Sequence, residues 1–224
     1  AIALARAAGV PVVLTLGTRF VIAERPAFWR DFIAEHVDIV AMNEEEAEAL
    51  TGEPDPLLAC DRALELTSLV LCTAGPVGLY LAGYTDDAVK RETRYPLLPG
   101  AIPEFNRYEF SRPMLRAKCE SAVKVYAHIA PYHGGPARIT STNGAGDAAL
   151  SALLHDMSAN RYHRSSVPNS AKHARDFLTY SSMSQVCRYA NRVSYEVLVQ
   201  SSPRLTRGLP EREEGLDDEK YWAL

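Results

Sequence analysis

The fold turns on Val37-Asp-Ile-Val-Ala-Met-Asn-Glu-Glu-Glu-Ala-Glu-Ala-Leu-Thr-Gly52. Val37 to Met42 is a short apolar run of strand length that ends at Asn43. Glu44 to Leu50 then reads as a helix. Asn43 and Glu46 have the spacing of a capping box, the three acids complement the positive end of the helix dipole, and Gly52 supplies the stop. A buried strand running straight into a helix is the repeating unit of parallel crossover sheets.

The same grammar extends both ways. Upstream, Ile2, Leu4 and Ala5 precede Gly9 and Pro11, so a helix should end at Gly9 and a strand follow from Val12 to Leu16. Pro26 opens a helix through Glu35, on which Trp29 and Phe32 are core candidates. Downstream come a helical stretch from Leu57 to Leu66, a strand from Leu69 to Thr73, the turn Ala74-Gly-Pro-Val-Gly78 and a strand from Leu79 to Ala82. This alternation predicts an α/β fold, three-layered α/β/α with a mainly parallel sheet and right-handed connections.

From Tyr84 to Ala122 the alternation lapses, with Pro96, Pro99, Pro103 and Pro113 blocking helices, which predicts an irregular insertion over 84–122. A strand resumes over Val123 to Ile129, and Pro131 to Thr142 is a loop. A helix begins near Gly146 with Leu150, Leu153, Leu154 and Met157 on one face. Ser158 to Ser170 is polar and basic, and a last helical pattern runs from about Ala171 to Val199. The expected organisation is one unit over 1–210 followed by an acidic tail over 211–224, where Tyr221 and Trp222 form a docking edge or fray.

With 224 residues, 47% hydrophobic and 23% charged, the composition is that of a globular chain and excludes disordered and fibrous classes. No apolar run is long enough for a membrane-spanning helix. Cys60, Cys72, Cys119 and Cys187 lie far apart without zinc-ligand spacing, from which reduced thiols and a cytoplasmic home are expected. The net charge of -4 resides in the tail, where six acids oppose Arg212 and Lys220. This balance argues against nucleic acid as a partner. A basic stretch lies within the neutral remainder: Arg107, Arg112, Arg116, Lys118, Lys124, Arg138, Arg161, Arg164, Lys172 and Arg175. It is either a solvated face or a local attraction for a phosphorylated small molecule.

The segment richest in chemistry is Ser141-Thr-Asn-Gly-Ala-Gly-Asp147, a glycine turn entering an amphipathic helix. Backbone N–H groups at such a terminus lack intrahelical partners and cradle anions. Asp147 beside that cradle could cap its helix or take a proton from an attacking hydroxyl. Asn43 to Glu46, at the carboxyl end of a strand, could combine capping with ordering water around Mg2+. Thr73 to Gly78 could be a plain hairpin loop or a close backbone approach to phosphate or ribose. His128 and His133 lack partner spacing and read as surface groups, and Ser141 and Ser151 lack a nucleophile elbow.

The order of these elements, Asn-x-x-Glu, then a strand with Gly-x-x-Gly, then Asn-Gly-Ala-Gly-Asp entering a helix, resembles the ribokinase (PfkB) family of ATP-dependent sugar and nucleoside kinases. The segments STNGAGDAALSALLHDMSANRYHR and YANRVSYEVLVQSSPRLTRGLPERE are most similar to its members that phosphorylate inosine and guanosine. The resemblance implies phosphorylation of a purine nucleoside 5'-hydroxyl by ATP with Mg2+. Asp147 would be the base, and Gly144, Ala145 and Gly146 the anion hole. Asn43 and Glu46 would position Mg2+ and phosphate, Glu46 holding the metal through water. Thr73, Gly75, Gly78, Thr142, Asn143 and Asn191 would bind the nucleotide.

K+ activation is in doubt, because Ser141 stands where many members have Asp, and Ser201 and Ser202 where many have Gly. The family's N-terminal substrate motifs have no counterpart here, so the chain is expected to be the C-terminal half of such a kinase, with the start inside a helix at Ala1 as its cut edge. A homodimer is left open, as are a sugar or adenosine acceptor and a nucleotide-binding module without catalysis.

Overall fold

The computed structural model describes residues 1–94, 97 and 100–211. Pro96, Pro99, Tyr221, Trp222 and all of the acidic tail beyond Glu211 lie outside the described residues.

Five strands form one sheet in the order β1 (Val13–Thr15), β2 (Ile39–Asn43), β3 (Leu69–Thr73), β4 (Leu79–Asp86), β5 (Ala122–Ile129). The pairs β1–β2 and β2–β3 are parallel, and β4 is antiparallel to both neighbours. Four strands therefore run one way and β4 the other, which is the mainly parallel sheet expected. Because side chains alternate across a strand, each strand feeds two cores. Ile39, Ala41, Leu69, Leu71 and Val125 face the last two helices, α6 (Ala145–Ser166) and α7 (Met183–Leu198). Val40, Met42, Val70, Cys72 and Tyr126 face α2 (Arg19–Glu24), α3 (Pro26–His36), α4 (Glu44–Thr51) and α5 (Pro56–Ala63). Leu69 and Leu71 are fully buried, and each such side chain is worth roughly 2 kcal/mol of transfer free energy. α1 (Ile2–Ala7) buries nothing, is capped at Ala8, and is followed by Gly9 at a left-handed φ of 61°.

Caps explain the crispest boundaries. Asn43 and Glu46 form the anticipated reciprocal capping box, and Gly52 ends α4 at φ 75°. Asp55 caps α5 through the Leu57 and Leu58 N–H groups, with Pro56 at its first position. Trp29 and Phe32 pack partly buried against the α2–α5 core.

Several expectations are corrected. The irregular stretch is 87–121, since β4 runs on to Asp86 and β5 begins at Ala122. It is also packed: Tyr108, Phe110 and Met114 are buried, and Met114 bridges Tyr84 and Phe177. The residues 158–166 continue α6, whereas Leu154 on that helix is exposed. The last helix starts at Met183 rather than near Ala171, because Ser182 and Gln185 form a second capping box there. No helix of the described residues is long and apolar enough to cross a membrane.

Candidate active site

The carboxyl ends of β1, β2 and β3, the start of β4 and the end of β5 lie at one end of the sheet, where open α/β sheets place their ligands. A cavity of about 820 Å³ opens there. Its lining brings together Asn43, Glu46, Thr73, Gly75, Gly78, Thr142, Asn143, Gly144, Ala145, Gly146, Asp147 and Asn191, every site residue singled out from the sequence.

At the centre is the amino end of α6. Gly144 is its N-cap, at φ 83°, and provides no side-chain cap. Only glycine fits, since a Cβ there would lie 2.6 Å from the Pro203 carbonyl oxygen in a backbone region L-residues rarely adopt. The Ala145 N–H reaches back to the Thr142 carbonyl at 3.3 Å, and the Ala148 N–H reaches the Gly144 carbonyl at 2.8 Å. The N–H groups of Gly146 and Asp147 have no partner among the described residues, so the expected anion cradle narrows to those two, with Ala145 partly engaged. The Asp147 side chain is exposed to the cavity and makes no capping hydrogen bond among the described residues. Ser194 on α7 donates to the Ala145 carbonyl at 2.8 Å and fixes the direction of this first turn.

Opposite lies the capping box of α4. The Asn43 Oδ1 accepts from the Glu46 N–H at 2.8 Å, and the Glu46 carboxylate accepts from the Asn43 N–H at 3.0 Å and from its Nδ2 at 3.1 Å. Glu46 is only 5% exposed. Burial pushes its pKa up from the usual 4.5 against the Asn43 hydrogen bond, and the nearby negative charges of Glu44, Glu45 and Asp147 add to the rise.

The third wall is the turn Gly75–Val77 and Gly78. A Cβ on Gly78 would meet the Ile129 carbonyl oxygen at 2.2 Å, so the turn lies hard against the end of β5. Gly146 faces Thr73, whose Oγ1 would be 3.9 Å from a Cβ at that position. Asn191 donates its amide to the carbonyls of Ile129 and Ala130, both at 3.0 Å, so those donors hold the wall and are not free for a ligand.

Sequence reasoning missed Thr15, Tyr132 and Tyr195, which also line the cavity. Thr15 ends β1 as Asn43 ends β2 and Thr73 ends β3, and Tyr195 lies one helical turn beyond Asn191. Those were the signals available. Of the two readings of the basic stretch, the attraction for a ligand is not supported at this cavity, since none of the ten residues lines it. Arg107, Lys124, Arg164 and Arg175 pair with Glu92, Asp61, Asp176 and Glu120. Arg112 is buried and donates to the carbonyls of Thr179 and Lys172 and to the Asn160 side chain.

The architecture defines the class at the level of the fold, a ribokinase-like α/β fold, with the cavity at the glycine turn. In sequence the chain is a relative of the guanosine-inosine kinases. Over 222 residues, 99% of the chain, it is 67% identical to the guanosine-inosine kinase of Escherichia coli K12, of which it covers 51%. The chain thus spans about half the length of the curated relatives it matches. No protein-family model matches it. A probable sugar kinase from Rhizobium etli shares the fold at TM-score 0.59 and 16% identity, over 99% of this chain and 47% of that one. A fructokinase double mutant from Vibrio cholerae, bound to fructose, ADP and potassium, does so at TM-score 0.56 and 17% identity, over 99% of this chain and 52% of that one.

Proposed function

We propose that the chain supplies the ATP side and the catalytic base of a nucleoside kinase that transfers the γ-phosphoryl group of ATP to the 5'-hydroxyl of inosine or guanosine. The observation that carries this reading is the Asp147 carboxylate, unpaired among the described residues, beside two N–H groups at the start of α6 that have no partner among them either. The acceptor is taken from the name of the relative that is 67% identical.

Asp147 takes the proton of the 5'-hydroxyl as its oxygen bonds to the γ-phosphorus and the bond to the β–γ bridging oxygen breaks. The Gly146 and Asp147 N–H groups, at the positive end of the α6 dipole, stabilise the charge on the equatorial oxygens. Thr73 and the glycines of the 75–78 turn let backbone approach the phosphates closely.

Among the described residues the lining carries Glu44, Glu46 and Asp147 and no Lys or Arg, so a polyphosphate needs a cation to enter. Hard carboxylate oxygens suit Mg2+. Because no three metal-ligating side chains converge among the described residues, Glu46 would hold the ion through water. When bound, Mg2+ neutralises charge on the β- and γ-phosphates.

Replacing Asp147 with Asn in an active preparation should lower kcat by about 10²–10⁴-fold while leaving the KM for MgATP nearly unchanged. Retained turnover in D147N sinks the assignment.

A further inference from the structure

Among the described residues, the stretch between β4 and β5 belongs neither to the sheet nor to the lining of the cavity. Its residues reach both faces of the sheet: Ile102 and Phe105 pack against the α2–α5 core, while Tyr108 is buried in the opposite one. At that edge the outward N–H of His128 is taken by the Asn106 Oδ1 at 2.8 Å. Asn106 sits at φ 56°, a left-handed conformation that Asn tolerates better than other residues with a side chain. The turn is shaped to deliver that oxygen.

The half-buried His128 ring then reaches along the sheet surface to the glycine turn. It lies on Tyr80 with centroids 4.4 Å apart and near Phe105 at 6.1 Å, and its Nε2 is 2.8 Å from the Val77 carbonyl oxygen. A carbonyl can only accept, so Nε2 carries the hydrogen. Val77 belongs to the turn whose Gly75, Pro76 and Gly78 line the cavity. Gly75 and Gly78 have φ of 46° and 113°, so ordering this turn costs more backbone entropy than an ordinary one, and a fixed partner for it matters.

We infer that His128 is a positioning residue, which passes the support of the 87–121 stretch, through Asn106, His128 and the Val77 carbonyl, to the glycine turn of the cavity. The consequence for nucleotide binding rests on the function proposed above, whereas the brace itself does not.

The test is amide hydrogen exchange in the ligand-free chain, joined to calorimetric titration with MgADP. The Val77 N–H donates to Ala74 and the Gly78 N–H to Gly75, so their exchange reports opening of the turn. H128A should speed both by about fivefold or more, the effect of losing one hydrogen bond, without changing α6 or α7. N106G keeps the backbone geometry but loses the side-chain oxygen, and should give a smaller rise at the same amides. H128Q, whose amide can donate to Val77, should return exchange toward the parent value.

In the titration, H128A should bind MgADP about fivefold more weakly than the parent. Unchanged exchange at Val77 and Gly78, a rise spread evenly over the chain, or no recovery in H128Q overturns the brace. Exchange as expected with no uptake of MgADP by the parent chain upholds the brace and overturns the nucleotide reading.

Discussion

Two polar regions flank α6 and behave in opposite ways. At its amino end, Gly146 and Asp147 hold N–H groups open to a cavity, and Asp147 keeps its carboxylate unpaired among the described residues. Near its carboxyl end, polar groups are closed into a knot. The Asp156 carboxylate accepts from the Tyr180 and Ser181 N–H groups at 2.7 and 3.0 Å. Asn160 donates to the Phe177 carbonyl at 2.6 Å, and Arg112 crosses from the 87–121 stretch to bind Asn160, Thr179 and Lys172. Burial lowers the pKa of Arg112 to about 10, with Asp156 opposing the drop, so the guanidinium stays charged at neutral pH. Buried polar groups satisfied within the protein build structure, and those left open to a cavity make a site.

Variants at the two ends should therefore fail differently. The largest expected effect is at the open end, where D147N should remove turnover and leave stability close to the parent value. Next is R112A in the knot, which strands the carbonyls of Thr179 and Lys172 and the Asn160 side chain. Breaking such a buried charged network should cost about 3–5 kcal/mol of unfolding free energy, read by urea titration. R112K should not rescue it, because one ammonium cannot reproduce the guanidinium fork. If R112A unfolds like the parent, the contrast between the regions fails.

The smallest of the three is G144A. A methyl group at φ 83° against Pro203 should cost about 1–2 kcal/mol and shift the start of α6, weakening MgATP binding by about tenfold. Parent-like affinity in G144A would mean that the geometry of this turn does not govern the anion cradle.

The same contrast explains what could be read from the sequence. Asn43, Gly52, Ser141 to Asp147 and the run Leu69–Thr73 act through neighbours within a few residues, so spacing alone revealed them. Those elements place the middle of the sheet and the amino end of α6 at the cavity. The knot depends on partners far apart in the chain, such as Arg112 with Thr179, so nothing in the local spacing set Arg112 apart from its basic neighbours. Asp156 and Asn160 face inward on α6, so the apolar periodicity stopped at Met157 although the helix continues to Ser166. α2 escaped notice because only Ile22 is buried, while Phe20 is 81% exposed. Residues 171–182 resembled a helix, but their carbonyls serve Arg112 and Asn160 instead.

The central claim is that the open end of α6 binds the phosphates of a nucleotide. Calorimetric titration of the chain with MgATP tests it most directly, with circular dichroism confirming that the chain is folded. Saturable binding that D147N retains and G144A weakens is the predicted result. A folded chain that takes up no MgATP would contradict the claim.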